Sequence, residues 1–366
     1  MKPTEELTRR GQSLWLDNIT RDLLSKGTLK RYISELSVRG LTSNPTIFDQ
    51  AIRNGAAYDA AIRQLLASGH SGERLFFELA LQDLAAAADL FREVHERSSG
   101  VDGWVSLEVS PLLARDARTT LAEAKDLHGR AGRPNLYIKI PGTAEGLPAI
   151  EEAIFAGVPI NVTLLFSPAQ YLAAAEAYLR GVERRIAAGL NPNVSSVASV
   201  FISRWDVAVS GRVPDRLTNT LGLAIGRGCY RAYSSLLCSS RWRQAFNAGA
   251  RPQRLLFAST GTKDPKAPDI LYVKGLHAPL TVNTVPEKTL QAFYDHGELG
   301  SDWSADAAAG EEALDAFRAA GIDLEALARK LQDDGAASFV ASWNDLLKVI
   351  EGKTASFGTP ARAIAH

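Results

Sequence analysis

The stretch NLYIKIPGTAEGLPAIEEAIFAGVPINVTLLFSPAQY, residues 135–171, reads as strand, connection, strand, and then the start of a helix. NLYIKIP (135–141) and VPINVTLLF (158–166) are short runs rich in β-branched and aromatic residues. Residues 167–190 carry helical periodicity and open SPAQ, with Ser167 as N-cap and Pro168 in the first turn. The same unit recurs outward in both directions, through SLWLDNI (13–19), VRGLTSNP (38–45), GWVSLEVSP (103–111), VASVFISR (197–204), RLLFAST (254–260) and APLTVNTVP (278–286). Ala- and Leu-rich helical segments, such as residues 71–97, lie between them. Eight strands alternating with helices predict a parallel (β/α)8 barrel, an α/β fold, over a doubly wound sheet. Neither GxGxxG nor GxxxxGK[ST] occurs, which weakens a nucleotide-binding reading.

We expect one barrel domain over residues 1–352, with 305–352 forming additional peripheral helices outside the barrel and 353–366 a loose tail. Residues 207–253, between the sixth and seventh strands, are not assigned in detail.

The 366 residues are 46% hydrophobic and 22% charged, with 41 Lys plus Arg balanced by 41 Asp plus Glu. No basic stripe points to nucleic acid as a partner. No run approaches the ~18 apolar residues of a membrane span, and the first residues, MKPTEELTRRGQ, hold no apolar signal core, so we expect a cytoplasmic protein. Cys229 and Cys238 fall in a helical-looking segment roughly 13 Å apart, too far to bridge, and are expected as buried thiols. The six histidines never reach metal-motif spacing.

Barrel enzymes carry their chemistry at the C-terminal ends of the strands. Here those ends hold Asp17, Asn44, Glu108, Lys139, Asn161 with Thr163, Ser199 with Arg204, Lys263 just past the seventh strand, and Asn283 in the eighth. Side-chain alternation puts Lys139 on the face of Tyr137 and turns Leu136, Ile138 and Ile140 toward the helices. Singly, most of these have structural readings: Asp17 as a turn former, Asn44 before Pro45 as a turn, Asn283 as a plain strand residue. Glu108 is harder to dismiss, because a carboxylate inside a strand is costly unless paired or used. Together, a lysine among carboxylates and neutral hydrogen-bonding groups points to covalent catalysis on a carbonyl, with an amine kept unprotonated by desolvation.

Across most of its length the chain resembles the transaldolases, in the longer bacterial form. The resemblance rests on SLWLDNITRDLL, GLTSNPTIF, VSLEVSP, LYIKIPGTAEGLPAI, GVPINVTLLFSPAQY, SVFISRWD, FASTGTKDP and TVNTVP, in that order. It implies a (β/α)8 fold, a Schiff-base mechanism, no metal or organic cofactor, and transfer of a dihydroxyacetone unit from sedoheptulose 7-phosphate or fructose 6-phosphate to an aldose phosphate in the pentose phosphate pathway. It further implies that Lys139 forms the Schiff base and Asp17 acts as acid/base at the C4 hydroxyl. Glu108 and Thr163 would hold a proton-relaying water. Asn44, Asn161 and Ser199 would bind the hydroxyls of the three-carbon unit beside Phe201, and Arg204 would meet the phosphate. Many relatives place arginine where this chain has Lys263, a point charge without the bidentate fork.

Two other readings compete. A fructose 6-phosphate aldolase of the same superfamily would release free dihydroxyacetone, but such relatives are shorter and generally lack the glutamate matching Glu108. A non-catalytic sugar-phosphate binder would have no use for an amine poised between acids. The expected partners are small sugar phosphates, with the protein a monomer or a homodimer.

Overall fold

The computed structural model describes residues 1–300, 303 and 307–358. Eight strands close into a barrel in chain order, every neighbouring pair parallel. They are β1 (Gln12–Asp17), β2 (Val38–Thr42), β3 (Trp104–Glu108), β4 (Leu136–Pro141), β5 (Ile160–Leu165), β6 (Ser196–Phe201), β7 (Gln253–Ala258) and β8 (Thr281–Val285), each overlapping a run expected from the sequence. A parallel sheet covered by helices is buried on both faces, so its strands are continuously apolar where they are not used for chemistry. Six of the eight β4 and β5 residues in LYIK and INVT show how this works: the outward Leu136, Ile138, Ile160 and Val162 are fully buried, and so are the inward Asn161 and Thr163 to within 1%.

The lower half of the barrel is plugged by aromatic rings. Tyr137 stacks on Trp104 at 4.1 Å between centroids and lies 6.2 Å from Trp15. Gly40 makes room for this layer, since a Cβ there would sit 2.6 Å from the Trp15 indole. Gly40→Ala is therefore expected to cost about 1–3 kcal/mol through overpacking, read as a lower urea midpoint with an unchanged m-value. Above this layer the strand register sets polar groups side by side: Glu108 pairs with Lys139, Lys139 with Asn161, and Pro141 with Thr163. In β5 the pairing to β6 shifts between Val162 and Leu165, and Leu164 takes a left-handed backbone conformation (φ 60°). A leucine there stores about 1–2 kcal/mol of strain.

Residues 207–253 fold as helices. Ser203–Val209 is followed by a single 3-10 turn, then by Leu221–Leu237 and Ser240–Asn247. Buried Asp206 pins this region. Its two oxygens accept from the backbone N–H groups of Leu221 and Gly222 at a helix start, and from the Tyr272 hydroxyl at 2.8 Å. Cys229 is buried as expected, but Cys238 is exposed, because it follows the last residue of Leu221–Leu237 where that helix emerges at the surface.

Two further helices follow the barrel, Ala307–Ala319 and Leu324–Gly358. The second packs outside the barrel, as expected for it, and reaches one end of it. Trp343 meets Phe76 edge-on at 5.0 Å, Thr46 donates to Ser342 at 2.9 Å, and Ser338 and Phe339 reach the C-terminal mouth of the barrel. The helix lies across that mouth because the strand ends there offer both apolar surface and free carbonyls. It also runs past the expected start of the tail: Lys353 bonds Gly55 O at 2.7 Å and Asp59 at 2.6 Å, so residues 353–358 continue the helix rather than hang loose. Residues 359–366 lie outside the described residues. No described helix is long and apolar enough to cross a membrane.

Candidate active site

The strand ends converge on a cavity of about 270 Å³ at the C-terminal mouth. Eight of the ten candidate residues line it: Asp17, Asn44, Lys139, Thr163, Ser199, Phe201, Arg204 and Lys263. Glu108 and Asn161 stand one layer below, each joined to a lining residue.

Lys139 is 6% exposed at the cavity floor. Its Nζ lies 2.5 Å from Glu108 Oε1 and donates to Ser43 O at 3.0 Å. The Glu108 contact is an ion pair rather than an aligned hydrogen bond, so both Glu108 oxygens are left without a hydrogen-bond partner among the described residues. The buried Thr163 hydroxyl is in the same state. Burial raises the Glu108 carboxyl above its usual range, the Lys139 ammonium pulls it back, and the Asp17 charge pushes it up again.

Asp17 ends β1 on the cavity wall. Its Oδ1 accepts from the Thr42 hydroxyl at 2.8 Å, and Thr42 in turn meets Thr284 at 2.7 Å. Burial raises its carboxyl as well, against the opposing pull of Lys139, the Thr42 hydroxyl and Lys263. Two carboxyls whose hold on a proton is strengthened by desolvation, close to one amine, make a set of groups that can exchange protons with it.

The remaining candidates divide by position. The Asn44 side-chain oxygen caps the Pro45–Arg53 helix through Ile47 N at 3.1 Å, which leaves only its amide nitrogen for a ligand. Asn161 is fully buried and has both amide ends engaged: Ser199 donates to its Oδ1 at 2.7 Å and its Nδ2 donates to Ser106 Oγ at 3.2 Å. Asn161 thus orients Ser199 rather than facing the cavity itself. At the outer end, the Arg204 guanidinium lies over the Phe201 ring at 5.0 Å, and desolvation lowers its affinity for its proton. Among the described residues neither Arg204 nor Lys263 is paired with a carboxylate. Two unpaired cations at one end of a cavity whose other end holds an amine suit a substrate with a phosphate and a carbonyl.

The family model described as Transaldolase/Fructose-6-phosphate aldolase matches residues 14–350. The chain belongs to that family. It is 45% identical to the transaldolase of Thermobifida fusca over 94% of this chain and 96% of the relative. It is 44% identical to that of Arthrobacter sp., over 97% of this chain and 98% of the relative, and 43% identical to that of Saccharopolyspora erythraea, over 94% and 96%.

Within this transaldolase-family site, several lining residues escaped the sequence reading: Thr42, Ser259, Thr284, Ser338 and Phe339. Alternation held the signal for Thr284. It lines the cavity, so Asn283 faces the helices, where it is fully buried. Thr42 likewise stands two residues beyond the inward Gly40. Ser338 and Phe339 come from the helix over the mouth, and no strand-based pattern reaches them.

Proposed function

We propose that the protein is a transaldolase that transfers a dihydroxyacetone unit between sugar phosphates through a Schiff base on Lys139, acting as one domain in the cytoplasm. The observation that carries this reading is the buried Lys139 amine at the floor of a cavity, 2.5 Å from Glu108, with two unpaired cations at the rim. The transaldolase names of the relatives favour it over aldolase action and over simple binding.

The phosphate of the ketose docks at Arg204 and Lys263, and the carbonyl end reaches inward to Lys139. Glu108 takes the proton that the amine must release, which its raised carboxyl is suited to do. Lys139 attacks the ketone, and the same proton returns, through a water between Glu108 and Thr163, to the departing hydroxyl as the carbinolamine dehydrates to an iminium. Asp17 then removes the C4 hydroxyl proton. The C3–C4 electron pair flows into the iminium, the aldose phosphate leaves, and a dihydroxyacetone enamine stays on Lys139. Asn44 and Ser199 hold its hydroxyls until an acceptor aldehyde takes the enamine carbon by the reverse steps. Phe201, packed on Phe166 at 5.4 Å and across from Phe339 at 6.5 Å, gives the cavity wall an apolar patch beside the Arg204 guanidinium.

The test is a coupled assay on sedoheptulose 7-phosphate with and without glyceraldehyde 3-phosphate. Turnover that requires the acceptor is expected. Release of free dihydroxyacetone in its absence would instead mark an aldolase, and ligand binding without turnover a binding protein. Lys263→Ala should raise KM for phosphorylated donors roughly 10-fold or more with a smaller change in kcat, the loss expected for one charge-assisted contact, and Lys263→Arg should restore it.

A further inference from the structure

One side chain outside the barrel joins the two strands that carry the reacting groups. Gln332, on the helix over the mouth, donates through its single Nε2 to Gly142 O at 3.1 Å and to Leu164 O at 2.9 Å. Gly142 stands three residues after Lys139 on the exit of β4, and Leu164 directly follows Thr163 on β5. The same two segments are joined once more beneath it, where Gly142 N donates to Thr163 O at 2.7 Å. A side chain at Gly142 would press on β5, because its Cβ would fall against the Leu165 and Val162 side chains. The turn is pressed flat on β5.

Leu164 is also the residue in left-handed conformation at the register shift of β5. A strained backbone persists only where its surroundings over-determine it, and here the carbonyl of the strained residue is held by Gln332. The helix face continues with Gly335, where a Cβ would lie 3.0 Å from Leu164 and 3.2 Å from the Arg204 guanidinium, and then with Ser338 and Phe339 in the cavity wall. Residues 332, 335 and 339 recur at helical spacing, so one stripe of this helix is laid over the active cavity.

We propose that Gln332 is a positioning residue for the Schiff-base chemistry: by bridging the β4 exit and the strained β5 bulge, it sets Thr163 against Lys139 and Glu108. This rests on the transaldolase reading above. A displaced Thr163 slows dehydration of the carbinolamine and leaves phosphate binding untouched.

Two near-isosteric variants of the full chain test it. Gln332→Met keeps the bulk and removes the donors; kcat should fall about tenfold with KM for fructose 6-phosphate within about twofold, and borohydride trapping of the adduct should slow in step. Gln332→Glu sets a carboxylate against two carbonyls and regains a donor only on protonation, so its activity relative to the unaltered protein should rise as pH falls. Wild-type kcat and trapping rate in Gln332→Met, with only its melting temperature lowered, would overturn the proposal, as would a flat ratio across pH for Gln332→Glu. Absence of any adduct in the unaltered protein would overturn the transaldolase reading and this role together, a result distinct from a failure confined to the variants.

Discussion

Lys139→Ala is expected to lower transfer from sedoheptulose 7-phosphate to glyceraldehyde 3-phosphate by roughly ten-thousand-fold or more, because in the proposed mechanism the amine forms the bond through which every later step is routed. Borohydride with fructose 6-phosphate should fix a three-carbon unit on Lys139 of the unaltered protein and nothing on the variant, as read by peptide mass. A labelled lysine elsewhere, or an active Lys139→Ala protein, would end the assignment. The substitution also strips Glu108 of its ionic partner, and an abandoned buried charge can cost about 3–5 kcal/mol. The raised Glu108 carboxyl moderates this by accepting a proton in place of the lost ammonium. Lys139→Met, which refills the space with apolar atoms, separates a folding defect from a chemical one: it should be folded by near-ultraviolet circular dichroism and equally inert.

Asp17→Asn should give a different signature. Loss of a general acid/base costs about 10²–10⁴-fold in kcat, but the amine and Glu108 remain, so the iminium still forms. Borohydride should then trap the whole hexose phosphate on Lys139, not a three-carbon fragment. A three-carbon adduct formed at wild-type rate would assign the C4 proton to another group. The pH dependence follows from the same carboxyl. Asp17 must be charged to take that proton, and burial raises it, so the acid limb of kcat should lie above the ordinary carboxylate range near 4. Thr42→Val removes a hydroxyl that favours the charged form, and should move that limb to still higher pH.

The barrel and the floor of the site were legible in the sequence because both follow from strand alternation. Once NLYIKIP is a strand, parity sends Lys139 inward with Tyr137, and the aromatic layer beneath it confirms that face. Parity also explains the omissions. Asn283 drew notice as the polar residue of β8, yet its neighbour Thr284 is the one that lines the cavity, and Asn161 points inward but has both amide ends committed to Ser106 and Ser199. What alternation cannot supply is contact between distant segments. Gln332 meets Leu164 across 168 positions, and the left-handed turn at Leu164 lies between Thr163 and Leu165 with no glycine to announce it. The helix Leu324–Gly358 shows an amphipathic pattern like any barrel-covering helix, and nothing local says that it caps the mouth.

That placement fixes when, during synthesis, the protein can begin to work. All eight strands and both groups of the amine–acid pair have left the ribosome before Gln332, Ser338 and Phe339 are joined to the chain. A nascent polypeptide halted after β8 would therefore hold the Lys139 amine in an unroofed pit open to water, and the desolvation that surrounds this amine in the folded protein is complete only once Leu324–Gly358 has been joined.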